Sequence, residues 1–259
     1  MSTGPHDRSA RQAKIDAAGP KPSKAKPILV AAVVLVTVAA LAVAVWLGNR
    51  PGDEPTARPT GTAAAGDYPQ GATGPSGGIV VEAANAGADL PTLDIYEDFQ
   101  CPGCQSMERS LGPTIKEMAE SGQIRVVYHM KTFLDRNLKN DASMRAGNGA
   151  ACAADAGHFQ AFHDQVYANA PTSEGQGWTN EQLAQFASSA GMTGDTLATW
   201  QQCFDNGTYN GYLQQVEETT AQDGVESTPT LRLNGENLDL RQIASIEDFR
   251  AKLLAAGGQ

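Results

Sequence analysis

The most pronounced apolar run in the chain is Ile28 to Leu47, "ILVAAVVLVTVAALAVAVWL". It carries no charge and, apart from the Trp46 indole, only the Thr37 hydroxyl as a polar side chain. At about 1.5 Å per helical residue it reaches roughly 30 Å, the thickness of a bilayer core. A buried helix of a soluble domain needs some polar face, and this run has none. A cleavable signal has a shorter apolar region and a small-residue cleavage site, whereas Gly48-Asn49-Arg50-Pro51 follows here. The pattern predicts one transmembrane signal anchor over 28–47, with Ala63-Ala64-Ala65 leaving room for later processing.

Beyond the anchor the pattern changes twice. Residues 48–77 are dominated by Pro, Gly, Ala and Thr and offer almost no side chain to a core, which predicts a flexible linker. From Gly78 to Gln259 the periodicities are those of a folded domain. "GIVVEA" and "TLDIYEDF" read as strands, the second with Leu93 and Ile95 on one side. A helix follows Cys101 and runs to about Ser121, and "QIRVVYHM" is a third strand. Strand, helix, strand is a βαβ arrangement. Helical patterns then occupy about 142–222: Phe159, Phe162, Val166 and Tyr167 share one face, and Thr179 with Gln182 forms a capping-box pattern. In "TLRLNGENLDL", Leu231 and Leu233 alternate before Asn234-Gly235, and Leu238 and Leu240 after it, a hairpin signal. A last helix starts at Ser245 and turns Ile246, Phe249, Leu253 and Leu254 inward. The sequence contains no internal repeats.

Charge gives the orientation of the anchor. Arg8, Arg11, Lys14, Lys21, Lys24 and Lys26 precede it against Asp7 and Asp16, so residues 1–27 are read as a cytoplasmic tail and the domain as extracytoplasmic. The part after residue 50 keeps 12 basic and 27 acidic residues, a net −15. That balance argues against nucleic acid as a partner, since affinity for it depends on neutralising phosphates. Cys101, Cys104, Cys152 and Cys203 all lie beyond the anchor, where disulfides persist, and their even number suits two bridges.

"DFQCPGCQSM" sets Cys101 and Cys104 three apart at the strand-to-helix junction. A structural zinc site would need a second close pair of thiolates or imidazoles. Cys152 and Cys203 are too far apart in sequence to supply one. His158 and His163 would diverge by about 140° on a helix and are read as surface or cap residues, and His129 at a strand end has no metal role. No metal is predicted. A staple closing two residues would add little stability. Redox exchange accounts for the neighbours as well. Cys101 stands at the N-cap and Pro102 at the first helical position, where its missing N–H costs nothing. The free N–H groups and the helix dipole favour a thiolate at Cys101. Cys104, one turn on, can attack a mixed disulfide formed there.

The combination of "YEDFQCPGC", a helical insertion and "STPT" resembles the DsbA-like thiol:disulfide oxidoreductases over about residues 78–259, a layout familiar in membrane-anchored actinobacterial members. The resemblance implies an α/β thioredoxin fold with an inserted helical subdomain, here preceded by one transmembrane helix. It assigns Thr228-Pro229 to a loop whose proline is cis and whose preceding residue binds an extended substrate peptide. It implies exported cysteine-containing proteins as substrates, a membrane redox partner of the DsbB or vitamin K epoxide reductase type, and no organic cofactor. One departure is Ile95, which stands where the thioredoxin pattern often has a buried acid. Glu97, two residues on, is read as a solvated strand-end charge, with assistance to proton transfer as the alternative. The Pro-Gly dipeptide lacks the histidine of some strong oxidants, which leaves the potential open. Cys152 and Cys203 are read as a structural disulfide joining two inserted helices, with a second redox pair as the alternative. The predicted activity is disulfide donation. The alternatives are a reductase or isomerase on the same fold, and a redox-silent peptide-binding domain.

Overall fold

The computed structural model describes residues 68–257 except 85 and 88. The predicted tail, anchor and most of the linker lie outside the described residues. No helix among the described residues is long and apolar enough to cross a membrane.

The strands are β1 (Ile79–Val81), β2 (Thr92–Glu97), β3 (Arg125–Met130), β4 (Thr230–Leu233) and β5 (Glu236–Asn237). They form one mixed sheet in the order β1-β3-β2-β4-β5. β2 and β3 are parallel, with Ile95 opposite Tyr128, and α1 (Pro102–Glu120) makes the crossover between them. β1 on β3, β4 on β2 and β5 on β4 are antiparallel. The central strands carry the buried layer of the sheet: Leu93, Ile95 and Val126 are fully buried. Leu231 opposite Ile95 continues the same layer into β4. Ile115 and Met118 of α1 close over this layer.

Between β3 and β4 lie α2 (Leu134–Leu138), α3 (Ala142–Asp155), α4 (Phe159–Ala168), α5 (Asn180–Ser189), α6 (Gly194–Asp205) and α7 (Asn210–Gln222). The helical segment thus begins at Leu134, ahead of the predicted 142, because "LDRNL" makes one short helix closed by Lys139 in the left-handed region. α3 is the hub, and its composition explains why. In "ASMRAGNGAACAAD" most positions are Ala or Gly, so neighbouring helices approach closely. A Cβ on Gly149 would lie 2.8 Å from the Phe162 ring, and one on Gly147 3.1 Å from Leu213. Phe159, Phe162, Val166 and Tyr167 of α4 are buried together, as their spacing predicts. The Thr179–Gln182 capping box forms at the start of α5. Cys152 of α3 and Cys203 of α6 are joined by a disulfide, with Cα atoms 5.9 Å apart.

Three expectations need correction. The hairpin turns at Asn234-Gly235, but its return strand is only two residues long and Leu240 falls in a 3-10 turn (Leu240–Gln242), so the Leu238–Leu240 alternation is not a strand. In α8 (Ile246–Ala255), Phe249 and Leu253 are buried but Ile246 and Leu254 are 44% and 50% exposed. A single helix packed on a sheet buries one narrow stripe, and these two residues flank it. Residues 68–77, assigned from composition to the linker, lie against the folded body. The Gln70 amide donates to Asp155, Ala72 bridges Ile79, and the Tyr212 hydroxyl donates to the Gly77 carbonyl at 2.6 Å.

Closing a loop across 51 positions is worth about 4 kcal/mol in the chain-entropy account. The Cys152→Ala/Cys203→Ala double variant is expected to lose about that much stability in urea unfolding. It should still exchange disulfides through the other two cysteines at 25 °C. Loss of exchange in a folded variant would instead favour a redox role for this pair.

Candidate active site

Cys101 caps α1. Its backbone is extended, Pro102 occupies the first helical turn, and its Sγ accepts from the Cys104 N–H at 3.4 Å. In the thiol form it donates to the Thr228 carbonyl at 3.3 Å. The Thr228–Pro229 bond is cis. A side chain at position 103 would meet the Pro229 ring at 3.1 Å, so Gly103 lets the proline-bearing loop rest on the cysteine turn. The chain thus brings Cys101, Cys104, Thr228 and Pro229 together, although 127 positions separate Cys101 from Thr228.

The two sulfurs differ in their surroundings. The neighbouring Cys104 thiol pulls Cys101 down to about 6 against the opposing effect of burial, and the Thr228, Cys104 and Gly103 contacts add to this. Burial pushes Cys104 well up, and the Cys101 sulfur and the Glu97 charge push the same way. Cys101 is 9% exposed while Cys104 is shut off from solvent. Such a pair has one sulfur that is a good nucleophile and leaving group near neutral pH and a second that must take up or release a proton in each cycle.

The loop ahead of Cys101 is anchored to the inserted helices. Asp98 is fully buried, and burial raises it to about 7. It accepts from the Ser143 hydroxyl at 2.6 Å, the Gln100 amide at 2.9 Å and the Leu134 amide at 3.2 Å. The Gln100 side chain donates to Asp135, Asn140 and Ser143. Sequence reasoning missed this network. Its one sequence signal is the pair of polar residues, Asp98 and Gln100, flanking Phe99 beside the cysteine.

A second buried group corrects two readings. Glu97 is 1% exposed, not a solvated strand-end charge. His163 is fully buried, not on a helix surface. His163 Nε2 lies 2.6 Å from Glu97 Oε1, and its Nδ1 is 3.5 Å from Asp164 Oδ1. Burial alone would lower the imidazole, but Glu97, Asp164 and Glu108 outweigh it and hold His163 well above its ordinary value. Glu108, one turn beyond Cys104 on α1, is pushed up by burial to about 8. Glu97, Glu108 and His163 present their ligating atoms within 4.8 Å of one another. Ligands of a tetrahedral ion at about 2.1 Å would stand about 3.4 Å apart, so the 2.6 Å contact is an ion pair rather than a ligand set. The other two histidines among the described residues have local partners: His129 meets Asp94 at 2.9 Å and stacks on Tyr96, and His158 contacts the Ala190 carbonyl at 3.0 Å. A pocket beside Cys101 is lined by Phe99, Pro102, Gln105, Pro171 and Trp178.

A family model described as Thioredoxin matches residues 86–252. The chain belongs to the thioredoxin family. Among solved structures it is similar to the reduced disulfide oxidoreductase DsbG of Mycobacterium tuberculosis, with 26% identity over 72% of this chain and 90% of that one, at a TM-score of 0.59. It is likewise similar to oxidised Mtb DsbA, with 26% identity over 70% and 93% of the two chains and a TM-score of 0.59. MdbA of Actinomyces oris, at 18% identity over 73% and 92% and a TM-score of 0.63, shares the fold. No curated protein matches the sequence. The enzyme carries out disulfide exchange, which sets aside the redox-silent reading.

Alkylation of the reduced enzyme by iodoacetamide should report the asymmetry of the two sulfurs. Reaction at Cys101 is expected to rise with pH through a midpoint near 6, with Cys104 unmodified below pH 8 in the native state. A midpoint near 9 at Cys101 would show that the helix terminus does not activate it.

Proposed function

We propose that this enzyme donates disulfides to exported cysteine-containing proteins through Cys101 and Cys104, held outside the cytoplasmic membrane by the 28–47 anchor. The observation that carries the reading is the Cys101 sulfur held down to about 6 at the start of α1. Stabilising the thiolate stabilises the reduced enzyme relative to its disulfide, and a disulfide whose reduced form is stabilised is a strong oxidant.

Turnover then follows from the geometry. A substrate thiolate attacks Cys101 Sγ, the Cys101–Cys104 bond breaks, and Cys104 leaves and takes a proton. A second substrate thiolate attacks the substrate sulfur of the mixed disulfide and releases Cys101 as a thiolate. Two electrons pass from the substrate to the dithiol. In this reading the backbone at Thr228, beside Pro229, aligns the substrate as an extended strand, and the pocket beside Cys101 takes a side chain next to the substrate cysteine. A membrane partner of the DsbB or vitamin K epoxide reductase type reoxidises the pair. Cys152–Cys203 braces the inserted helices. No organic cofactor or metal enters the cycle.

The deciding measurement is the reduction potential of Cys101–Cys104 with Cys152–Cys203 intact. A value in the range of roughly −120 to −180 mV is expected for a donor, and one near thioredoxin's roughly −270 mV would make the enzyme a reductase. The pH dependence has a defined sign. Because Cys101 is depressed from 9.0 to about 6, the thiolate's contribution to the reduced fold is fully present above about 9 and is lost as pH falls through about 6. The stability advantage of reduced over oxidised enzyme in urea is therefore expected to be larger at pH 8 than at pH 5.

A further inference from the structure

In the turnover proposed above, on which this inference rests, a substrate lies as an extended strand beside Thr228 with its cysteine facing Cys101. Side chains of an extended strand alternate, so the residue two positions from the cysteine points the same way, about 7 Å along. The pocket beside Cys101 is placed to receive it. One wall is the cysteine turn, with Phe99, Pro102 and Gln105. The other is the segment between α4 and α5, with Pro171 and Trp178. The space between them is about 400 Å³ and open to solvent.

The second wall is a fixed turn. The Gln176 N–H donates to the Ser173 carbonyl at 3.2 Å, and Gly175, third in that turn, has a φ of 80°, which favours glycine there. The Gly175 carbonyl accepts from Asn140 at 3.1 Å and the Trp178 carbonyl from Arg145 at 2.6 Å. A Cβ on Gly177 would lie 2.4 Å from that of Ala142, so glycine lets this segment rest on α3. The buried polar groups of the walls are already committed. The Gln100 carboxamide donates to Asp135, Asn140 and Ser143 and accepts from Asn140 at 3.0 Å, and the Trp178 indole N–H donates to the Asn169 carbonyl at 3.0 Å. The charge left to read a ligand is Glu174, second in the turn. It is exposed, has no ion-pair partner among the described residues, and is the one charged side chain lining the pocket besides the Cys101 sulfur.

We propose that Glu174 is a specificity-determining residue that makes this pocket a subsite for a basic side chain, lysine or arginine, two positions from the substrate cysteine. The aliphatic stem lies along Pro102 and Pro171 while the charged head stays at the open side, on Glu174. An acidic side chain in the same place meets two negative groups, the Glu174 carboxylate and the Cys101 thiolate, and is selected against. On the other side of Cys101, residues 223–229 carry Asp223 and Glu226 and no basic residue, so nothing in that loop offsets the preference. The chain after residue 50, with 12 basic against 27 acidic residues, draws a positive segment in from further away.

The test reads formation of the mixed disulfide, a step common to donor and reductase, so it does not depend on the direction of the cycle. Reduced enzyme is mixed at pH 7 with peptides whose single cysteine is joined to 2-thiopyridine. The Cys101 thiolate attacks the peptide sulfur, and the bond to the thiopyridine breaks. The thiopyridine leaves with the electron pair, takes a proton from water and is measured by its absorbance. The residues two positions either side of the cysteine are arginine, its neutral isostere citrulline, leucine or glutamate. Each rate is divided by the same variant's iodoacetamide rate at Cys101, which removes any change in the sulfur itself. In wild type the arginine peptide is expected to react about three- to fivefold faster than the citrulline peptide. That ratio should fall toward one in about 1 M salt, where the screening length is about 3 Å. Glu174→Gln, at an exposed turn position, is expected to lose the ratio, and Glu174→Lys to favour the glutamate peptide over the arginine peptide. Equal arginine and citrulline rates in wild type, or a ratio retained in Glu174→Gln, overturns the proposal. A leucine peptide fastest of all also overturns it and makes the pocket an apolar subsite. Wild-type enzyme that releases thiopyridine from none of the peptides would overturn the exchange cycle, and this inference with it.

Discussion

The start of α1 is the constraint on which the site depends. A helix begins with N–H groups that have no partner within the helix, and here they converge on one sulfur. A proline in the first turn leaves fewer N–H groups to satisfy, and a glycine at position 103 lets the Pro229 loop approach. The same geometry that exposes Cys101 to those groups turns Cys104 inward, because residues three apart on a helix lie one turn apart. One helix terminus therefore produces both an activated sulfur and a buried partner.

Keeping that terminus in place falls to the inserted helices. Asp98 and Gln100, in the loop that leads into Cys101, make their hydrogen bonds to α2, α3 and the turn between them. Buried polar groups of this kind are costly unless every partner is in position. The loop geometry is consequently tied to how α3 packs, and α3 packs closely because it is built of alanine and glycine. The Cys152–Cys203 bridge links the same helix to α6. Insertion and thioredoxin sheet thus form one mechanical unit around the cysteines.

The Glu97–His163 pair belongs to the same design. Two ionisable groups sealed together would be strongly unfavourable singly, and each is tolerated because the other lies at 2.6 Å. The pair joins β2 to α4, as Lys131 with Glu217 at 3.0 Å joins the end of β3 to α7. Polar links thus tie the ends of both parallel strands to inserted helices.

The features set by local rules were legible in the sequence. Strand and helix periodicity located β2, α1, β3 and α8, the Cys101-Pro102 start of α1 followed from capping chemistry, and Asn234-Gly235 marked its turn. The juxtaposition of Cys101 with Thr228-Pro229 came only from family resemblance, since nothing local couples residues 127 positions apart. Tertiary structure alone decided which charged residues are buried. Glu97 at a strand end and His163 on a mixed helix face have the local patterns of surface residues, and only the docking of α4 on α1 removes both from water. It also decided that Ile246 and Leu254 stay exposed, because burial depends on how wide a stripe of α8 its neighbours cover. Local pattern specifies what a segment can form. Whether a polar side chain is sealed depends on where distant segments meet, and no single segment encodes that.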